Sequence, residues 1–454
     1  MVFKMIEKIY SFFKIKENNS SIKIETIAGL TTFMTMSYII FVEPTLLSMT
    51  GMNFDSVMVA TCISSAIGTL LMAVLANYPI ALGAAMGHNI FFTFTVCSVT
   101  AGGLAFGWQA ALAAVFCAGI IYFLLTLIGI REKLLNGVPN PLKQGIACGI
   151  GLFITFIGLQ WSGIIVGNPG SLVKLGDIHS APVLLSIFGL LVTSILMSLR
   201  IRGAILFGII ITIALGIPFG VVQFYGIVNM PPSISPTFLK LDFNGLFAHK
   251  NFIDVIVIFL FLHIFDAIGT LIGVTKQAGL LDAEGKLPRG QKALLADSTS
   301  AIIGSLLGCS TITPYVESSA GVSAGARTGF ASVITSLMFL LALFFSPLIK
   351  SVGEGYHVSP ELTLYPVIAP ALIIVGSFMI KNIKDIDWDN LTDAIPAFLT
   401  AIIMPFAFSI TEGISWGFIS YTILKVATGQ GKNIHWMIYL FTALFIARYI
   451  FLIG

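Results

Sequence analysis

Two carboxylates stand in stretches that carry almost no other charge: Asp266 in FLFLHIFDAIGTLIGV and Glu317 in GCSTITPYVESSAGVSAG. Placing an ionisable group inside an apolar segment costs several kcal/mol, so each marks a candidate ligand or proton site. Each also has a structural role open to it. Asp266 could bond a Thr or Ser of a neighbouring helix, and Glu317 could cap the short helix that follows it. His263, Asp266 and Thr270 fall at i, i+3 and i+7, on one helical face. His263 can therefore bond Asp266 or titrate with it as a pair. His88 and Asn89 sit side by side in YPIALGAAMGHNIFF. Carboxylates accept N–H groups, an amide offers a donor and an acceptor together, and histidine carries a proton near neutral pH. Phe91 and Phe92, directly after Asn89, could stack on a planar ring, with Phe33 and Tyr38 as weaker candidates. Ser318 follows Glu317 and joins the set. Glu43, in FVEPTLL, is expected to serve a structural or gating role where Pro44 starts a turn, and Asp297, in ALLADSTS, to be a local cap or interdomain contact. No Walker A, GxGxxG or HExxH pattern occurs, so ATP hydrolysis and metalloprotease chemistry have no support, and no cofactor or metal is expected.

The elements that hold these residues must lie in a bilayer. Hydrophobic residues make up 57% of the 454 and charged residues 10%, with a mean hydropathy of +0.98. A soluble domain carries about 25% charge, so this chain cannot cover a water-facing surface. It reads as an all-α polytopic membrane protein, not a soluble enzyme, a secreted scaffold or a nucleic-acid binder; a net charge of +3 is too small to argue for a polyanion. The five cysteines lie in apolar stretches without CxxC spacing and read as packing residues. The first 25 residues, with Lys4, Lys8, Lys14, Lys16 and Lys23, show no cleavage pattern and read as a cytoplasmic tail on anionic headgroups. Spans of about 20 apolar residues fall near 26–48, 55–76, 79–98, 107–130, 142–165, 182–199 and 203–226, then 252–275, 290–307, 309–324, 328–349, 362–381, 392–411 and 413–428. Either 434–453 is an extra helix, or 392–428 is one broken element and 434–453 the last span. A Pro-rich connection with a short surface helix joins the two sets over 227–251.

Lys and Arg in short loops set sidedness. Arg131, Lys133, Lys143, Arg200, Arg202, Lys276, Lys286, Arg289, Lys292, Lys381 and Lys384 all fall on the side of the N-terminus. Each set thus holds an odd number of spans, and the second is inserted upside down. The sets begin near 26 and 252, a difference of 226, and Asn89 and Glu317 differ by 228. A seven-plus-seven inverted repeat with broken elements meeting at the midplane is a transporter arrangement. Spans three and ten are the broken ones. Pro79, Gly83 and Gly87 interrupt the first; Thr311, Ile312 and Thr313 favour extended backbone before Pro314 in the second. Extended backbone at membrane depth needs partners for its N–H and C=O groups, and the two segments could supply them as a two-stranded ribbon. Half-helices would then begin near His88–Asn89 and Val316–Glu317, their N-termini aimed at the midplane.

At these residues the chain resembles the AzgA-like branch of the nucleobase–cation symporters, the hypoxanthine/guanine/adenine permeases. The matching segments include GLTTFMTMSYIIFVEP, ANYPIALGAAMGHN, GIREKLLNGVP, FDAIGTLIGVTKQAGLLDAEGKLPRGQKALLADS, GSLLGCSTITPYVESSAGVSAGARTG and DAIPAFLTAIIMPFAFSITEGI, spread in order over nearly the whole chain. The resemblance implies the uracil-permease fold. A core domain would take 26–130 and 252–349, a gate domain 131–226 and 350–454, with 1–25 as tail and 227–251 as connection. It places the polar site on Asn89, Asp266 and Glu317, and implies import of a purine base with a proton across an inner membrane. It departs from the family pattern at AAMGHN, where PGMGLN is usual, and at His263, where a carboxylate is usual. Glu43 stands where Asn is common. His88 and His263 thus join the candidates for substrate contact and for proton coupling with Asp266 and Glu317. Rival readings are a carrier of the same fold for uracil, xanthine or a small anion, or a channel or membrane enzyme. Gate-domain dimers are common in the wider family, which makes a homodimer an expectation.

Overall fold

The computed structural model describes residues 2–99, 103–129, 138–282, 287–359 and 362–451. The chain opens with α1 (Val2–Phe12). Then α2 (Ile22–Met36) and α3 (Ile39–Ser48) form one apolar element interrupted at Ser37–Tyr38. Next is α4 (Phe54–Leu71), which widens into a π segment ending at Ala76. Strand β1 (Leu82–Ala84) leads into α5 (Met86–Ile90) and a π segment over Phe91–Val96. There follow α6 (Trp108–Ile128), α7 (Asn140–Trp161), the hairpin β2 (Ile165–Asn168) and β3 (Leu172–Leu175), α8 (Ala181–Ser198) and α9 (Ala204–Gly216). The connection holds the short α10 (Phe243–Ala248), whose first turn is capped by Asp242 accepting from Gly245 N at 2.9 Å. Beyond it come α11 (Phe252–Gln277), α12 (Gly290–Leu307), β4 (Ile312–Pro314), α13 (Ser318–Ser323), α14 (Gly329–Ala342) and α15 (Ser346–Gly353). A second hairpin, β5 (Tyr356–Ser359) and β6 (Leu362–Leu364), precedes α16 (Ala369–Met379), α17 (Leu391–Phe406), α18 (Ile410–Ala427) and α19 (Trp436–Phe451).

Among the described residues, six helical segments are long and apolar enough to cross a membrane, and four shorter helices are apolar. Each of the fourteen stretches read from the sequence contains a helix or half-helix. Helices α2, α4, α6 and α11–α14 pack among themselves, and α7 packs with α16, α17 and α18. Between apolar helices in lipid, close packing replaces the hydrophobic drive, and small residues permit it. A Cβ on Gly145 of α7 would stand 2.8 Å from the Ala397 carbonyl of α17, and one on Gly151 would stand 2.8 Å from Gly376 O of α16.

Spans seven and twelve differ in their bounds from the sequence reading. Span seven ends at Gly216 instead of 226, because Pro218 and the left-handed Gly220 break the helix. Span twelve begins at Ala369; Leu362–Leu364 belongs to a strand, and Pro366 and Pro370 push the helix start downstream. The stretch 392–428 is two helices folded back on one another: Gly413 of α18 lies against Met404 of α17, and Gly417 against Thr400. Helix α19 runs antiparallel to α18, with Arg448 on Glu412 at 2.8 Å and Thr422 on Thr442 at 2.7 Å. At the other end, Phe13 and Ile15 bury against Ala73 and Phe330, and Asn77 Nδ2 donates to Phe13 O at 2.9 Å. The tail is docked on protein there. Arg131, Lys133 and Lys286 of the sidedness pattern lie outside the described residues.

Candidate functional site

Strands β1 and β4 pair antiparallel, with Leu82 opposite Pro314, Gly83 opposite Thr313 and Ala84 opposite Ile312. The ladder continues one bond at each end, Tyr315 N to Ala81 O at 2.9 Å and Ala85 N to Thr311 O at 3.1 Å. On its outer edge Thr69 takes the place of a third strand: its hydroxyl accepts from Leu82 N at 2.9 Å and contacts Leu82 O at 3.1 Å. Extended backbone inside the protein is thereby satisfied without water. Gly83 is required by proximity. A Cβ there would come within 2.6 Å of Ile39 Cδ1 and 3.0 Å of Met36 Cε, so side chains either side of the interruption in span one press on the ribbon.

Antiparallel pairing sends the two chains away from opposite ends. At one end α13 begins, with Glu317 as its N-terminal flanking residue. Tyr38 donates its hydroxyl to Glu317 Oε1 at 2.9 Å. Ser318 is buried, and its Oγ accepts from Ala81 N at 3.0 Å, tying α13 to the ribbon. Tyr315 donates back to Ala84 O. Glu317 is half-buried, and Val316 beside it is 57% exposed.

At the other end α5 begins at Met86, two residues before the position read from the sequence, so His88 and Asn89 lie within its first turn. Both are buried. Asn89 Nδ2 donates to Glu43 Oε2, and Cys309 Sγ lies 3.9 Å from the other oxygen, Oε1. Glu43 is therefore part of the polar site. Pro44 does not start a turn; it is inside α3, which carries Glu43 inward. The ring of His88 meets that of His263 edge-on, centroids 4.4 Å apart. His263 Nδ1 contacts the Phe259 carbonyl at 2.8 Å. A carbonyl only accepts, so Nδ1 carries a hydrogen. Nε2 meets the Thr311 hydroxyl, which can donate to a neutral ring or accept from a protonated one. The Tyr122 ring stands 5.4 Å from that of His263, and its hydroxyl donates to Asp297 Oδ2. Asp297 is thus not a helix cap; it is buried in the middle of α12 and bound across to α6. Phe91 and Phe92 are buried, and Phe91 packs edge-on against Phe259 at 4.9 Å. The side chain of Asp266 lies outside the described residues.

The ribbon thus gathers His88, Asn89 and His263 at one end and Glu317 and Ser318 at the other. Tyr38, Glu43 and Thr311 join them without having been singled out as partners; their contacts span 279, 46 and 48 residues of sequence. Among the described residues, no group of three or more His, Cys, Asp and Glu side chains could hold a metal.

Comparison with known proteins follows the same outline. The guanine/hypoxanthine permease PbuG of Bacillus subtilis is 46% identical over 97% of this chain and 99% of its own length. The adenine permease AdeP of Escherichia coli is 43% identical over 99% and 96%. Among solved structures, the transmembrane domain of the cyanobacterial bicarbonate transporter BicA superposes with a TM-score of 0.62 at 13% identity, covering 87% of this chain and 97% of that one. That level of identity shows a shared fold and nothing finer. The Xan_ur_permease profile, described as Permease family, matches residues 23–452, and the chain belongs to that family as a multi-pass membrane transporter and not an enzyme.

Proposed function

We propose that the protein carries a purine nucleobase together with a proton, by alternating access around the β1–β4 ribbon. The observation that carries this is a carboxylate, Glu317, half-buried at one end of a ribbon deep in the helix bundle, in a chain whose whole-length relatives are named for guanine, hypoxanthine and adenine. A carboxylate accepts the N–H groups of a base edge, and a mismatched base leaves it unpaired. Asn89, His88, Phe91 and Ser318 belong to the proposed substrate region, Ser318 by fixing the start of α13. Asp266 belongs to it on the sequence alone. The proton would use His263, Asp266 and Glu317; His263 has contacts that suit either protonation state. The helices packed with α2 and those packed with α7 would be the core and gate domains, related by an inverted repeat, with the N-terminus in the cytoplasm, the chain in an inner membrane and a dimer formed through the gate.

A small anion is the alternative suggested by the fold. Glu317 and, on the sequence alone, Asp266 argue against it, because carboxylates at the site repel an anion. Uptake of radiolabelled purines, uracil, xanthine and bicarbonate into vesicles, with and without a protonophore, separates these. Purine uptake abolished by the protonophore supports the proposal; bicarbonate uptake without purine uptake overturns it.

A further inference from the structure

Asn89 carries both a donor and an acceptor on one rotatable amide, so its orientation decides which of them a ligand meets. Glu43 decides that orientation. Its carboxylate sits on α3, fully buried, and Asn89 Nδ2 donates to Oε2. Cys309 Sγ lies by Oε1, and Thr61 Oγ1 is 3.5 Å from the same sulfur. With Nδ2 donating to Oε2, the amide turns its NH2 toward Glu43 and its oxygen away. That oxygen, Oδ1, is buried and has no hydrogen-bond partner among the described residues. Buried acceptors without partners are rare and costly, and this one lies on the half-helix that leaves the ribbon.

We infer that Glu43 is a positioning residue that sets substrate specificity: it holds Asn89 so that the group presented to the base is an acceptor, which selects a base edge with an N–H at that point. Glu43 itself does not touch the base. The inference rests on the nucleobase function proposed above. In Glu43→Gln the partner can donate or accept, the amide is free to turn, and either NH2 or oxygen faces the ligand. Exchanging the roles in Glu43→Gln/Asn89→Asp restores an oxygen to the ligand, because the new amide donates across the same contact.

The test is competition between hypoxanthine, whose N1 carries a hydrogen, and adenine, whose N1 does not, in vesicles holding the full chain. Wild-type protein should prefer one base. Glu43→Gln should shrink that preference by about tenfold, the scale on which a mispaired buried polar group discriminates, and the double variant should recover it. A wild-type carrier that moves purines without preference, or a Glu43→Gln variant that keeps the wild-type ratio, overturns the role of Glu43 while leaving purine transport standing. Absence of any purine uptake by wild type overturns the proposed function instead. If Glu43→Gln does not insert, the double variant decides alone: the native ratio supports the positioning role and an altered ratio refutes it.

Discussion

Gly321→Ala tests whether the seat of α13 on α2 positions Glu317. Gly321 lies in the short helix directly after Glu317, and an added Cβ would fall on Thr32 Oγ1 and stand 2.8 Å from the Ala28 carbonyl oxygen, both on α2. Ordinary contact begins near 3.4 Å, so the methyl is short of room by about 0.6 Å against a backbone atom that cannot rotate aside. Overpacking of this kind costs about 1–3 kcal/mol. The cheapest relief is retreat of α13, which carries Glu317 with it. Misplacement by about 1 Å lowers the rate of a positioned reaction by about 100-fold; a shift of about half that size should lower initial uptake of the best purine by about tenfold. Melting temperature in detergent should fall as well. Thr32→Ala in the same chain removes one of the two obstacles and should restore part of both quantities. Gly273→Ala is the control, since a Cβ there meets nothing within 4 Å, and should change neither. Unaltered uptake and melting in Gly321→Ala would refute the idea that this contact sets the position of Glu317.

Glu317→Gln keeps an acceptor for Tyr38 but replaces one carboxylate oxygen by NH2; purified variant should insert and yet lose binding of the purine at least tenfold, and full affinity in a binding assay removes Glu317 from the site. His263→Gln should alter the pH dependence of uptake between about pH 5 and 8, where histidine titrates, more than it alters affinity for base. An unchanged profile there together with a changed one in His88→Gln would transfer the role to His88. Val316, exposed where Ser318 is buried, is the better reporter of access: Val316→Cys in a chain with its native cysteines replaced should label from one face at a time and be protected by base, and simultaneous labelling from both faces would identify a channel.

The ribbon was legible because its causes are local. Pro79 and Gly83 do not favour a helix, and Thr311–Ile312–Thr313–Pro314 prefers to be extended. The partners of its polar residues were not legible, because nothing in the neighbourhood of Glu43 announces Asn89. Pro44 suggested a turn there, but it stands inside α3, where burial of Ile39 through Leu47 offsets the lost backbone bond and the clash with the preceding turn. Asp297 was read as a local cap or interdomain contact from its place toward one end of span nine; its partner Tyr122 is 175 residues away. The hairpins were hidden for the opposite reason: Ile165 and Leu362–Leu364 are apolar enough to read as the ends of adjoining spans.

Span one touches both ends of the ribbon. Tyr38 holds Glu317 and Glu43 holds Asn89, five residues apart and about 7.5 Å along a helix axis. A stiff element with two loads links them thermodynamically. If base held at Asn89 alters the affinity of Glu317 for a proton by some factor, then a proton at Glu317 alters the affinity for that base by the same factor. The two halves of a transport cycle would share one free-energy term, readable from either direction: base titrations at two pH values, or proton release on adding base, must return the same number.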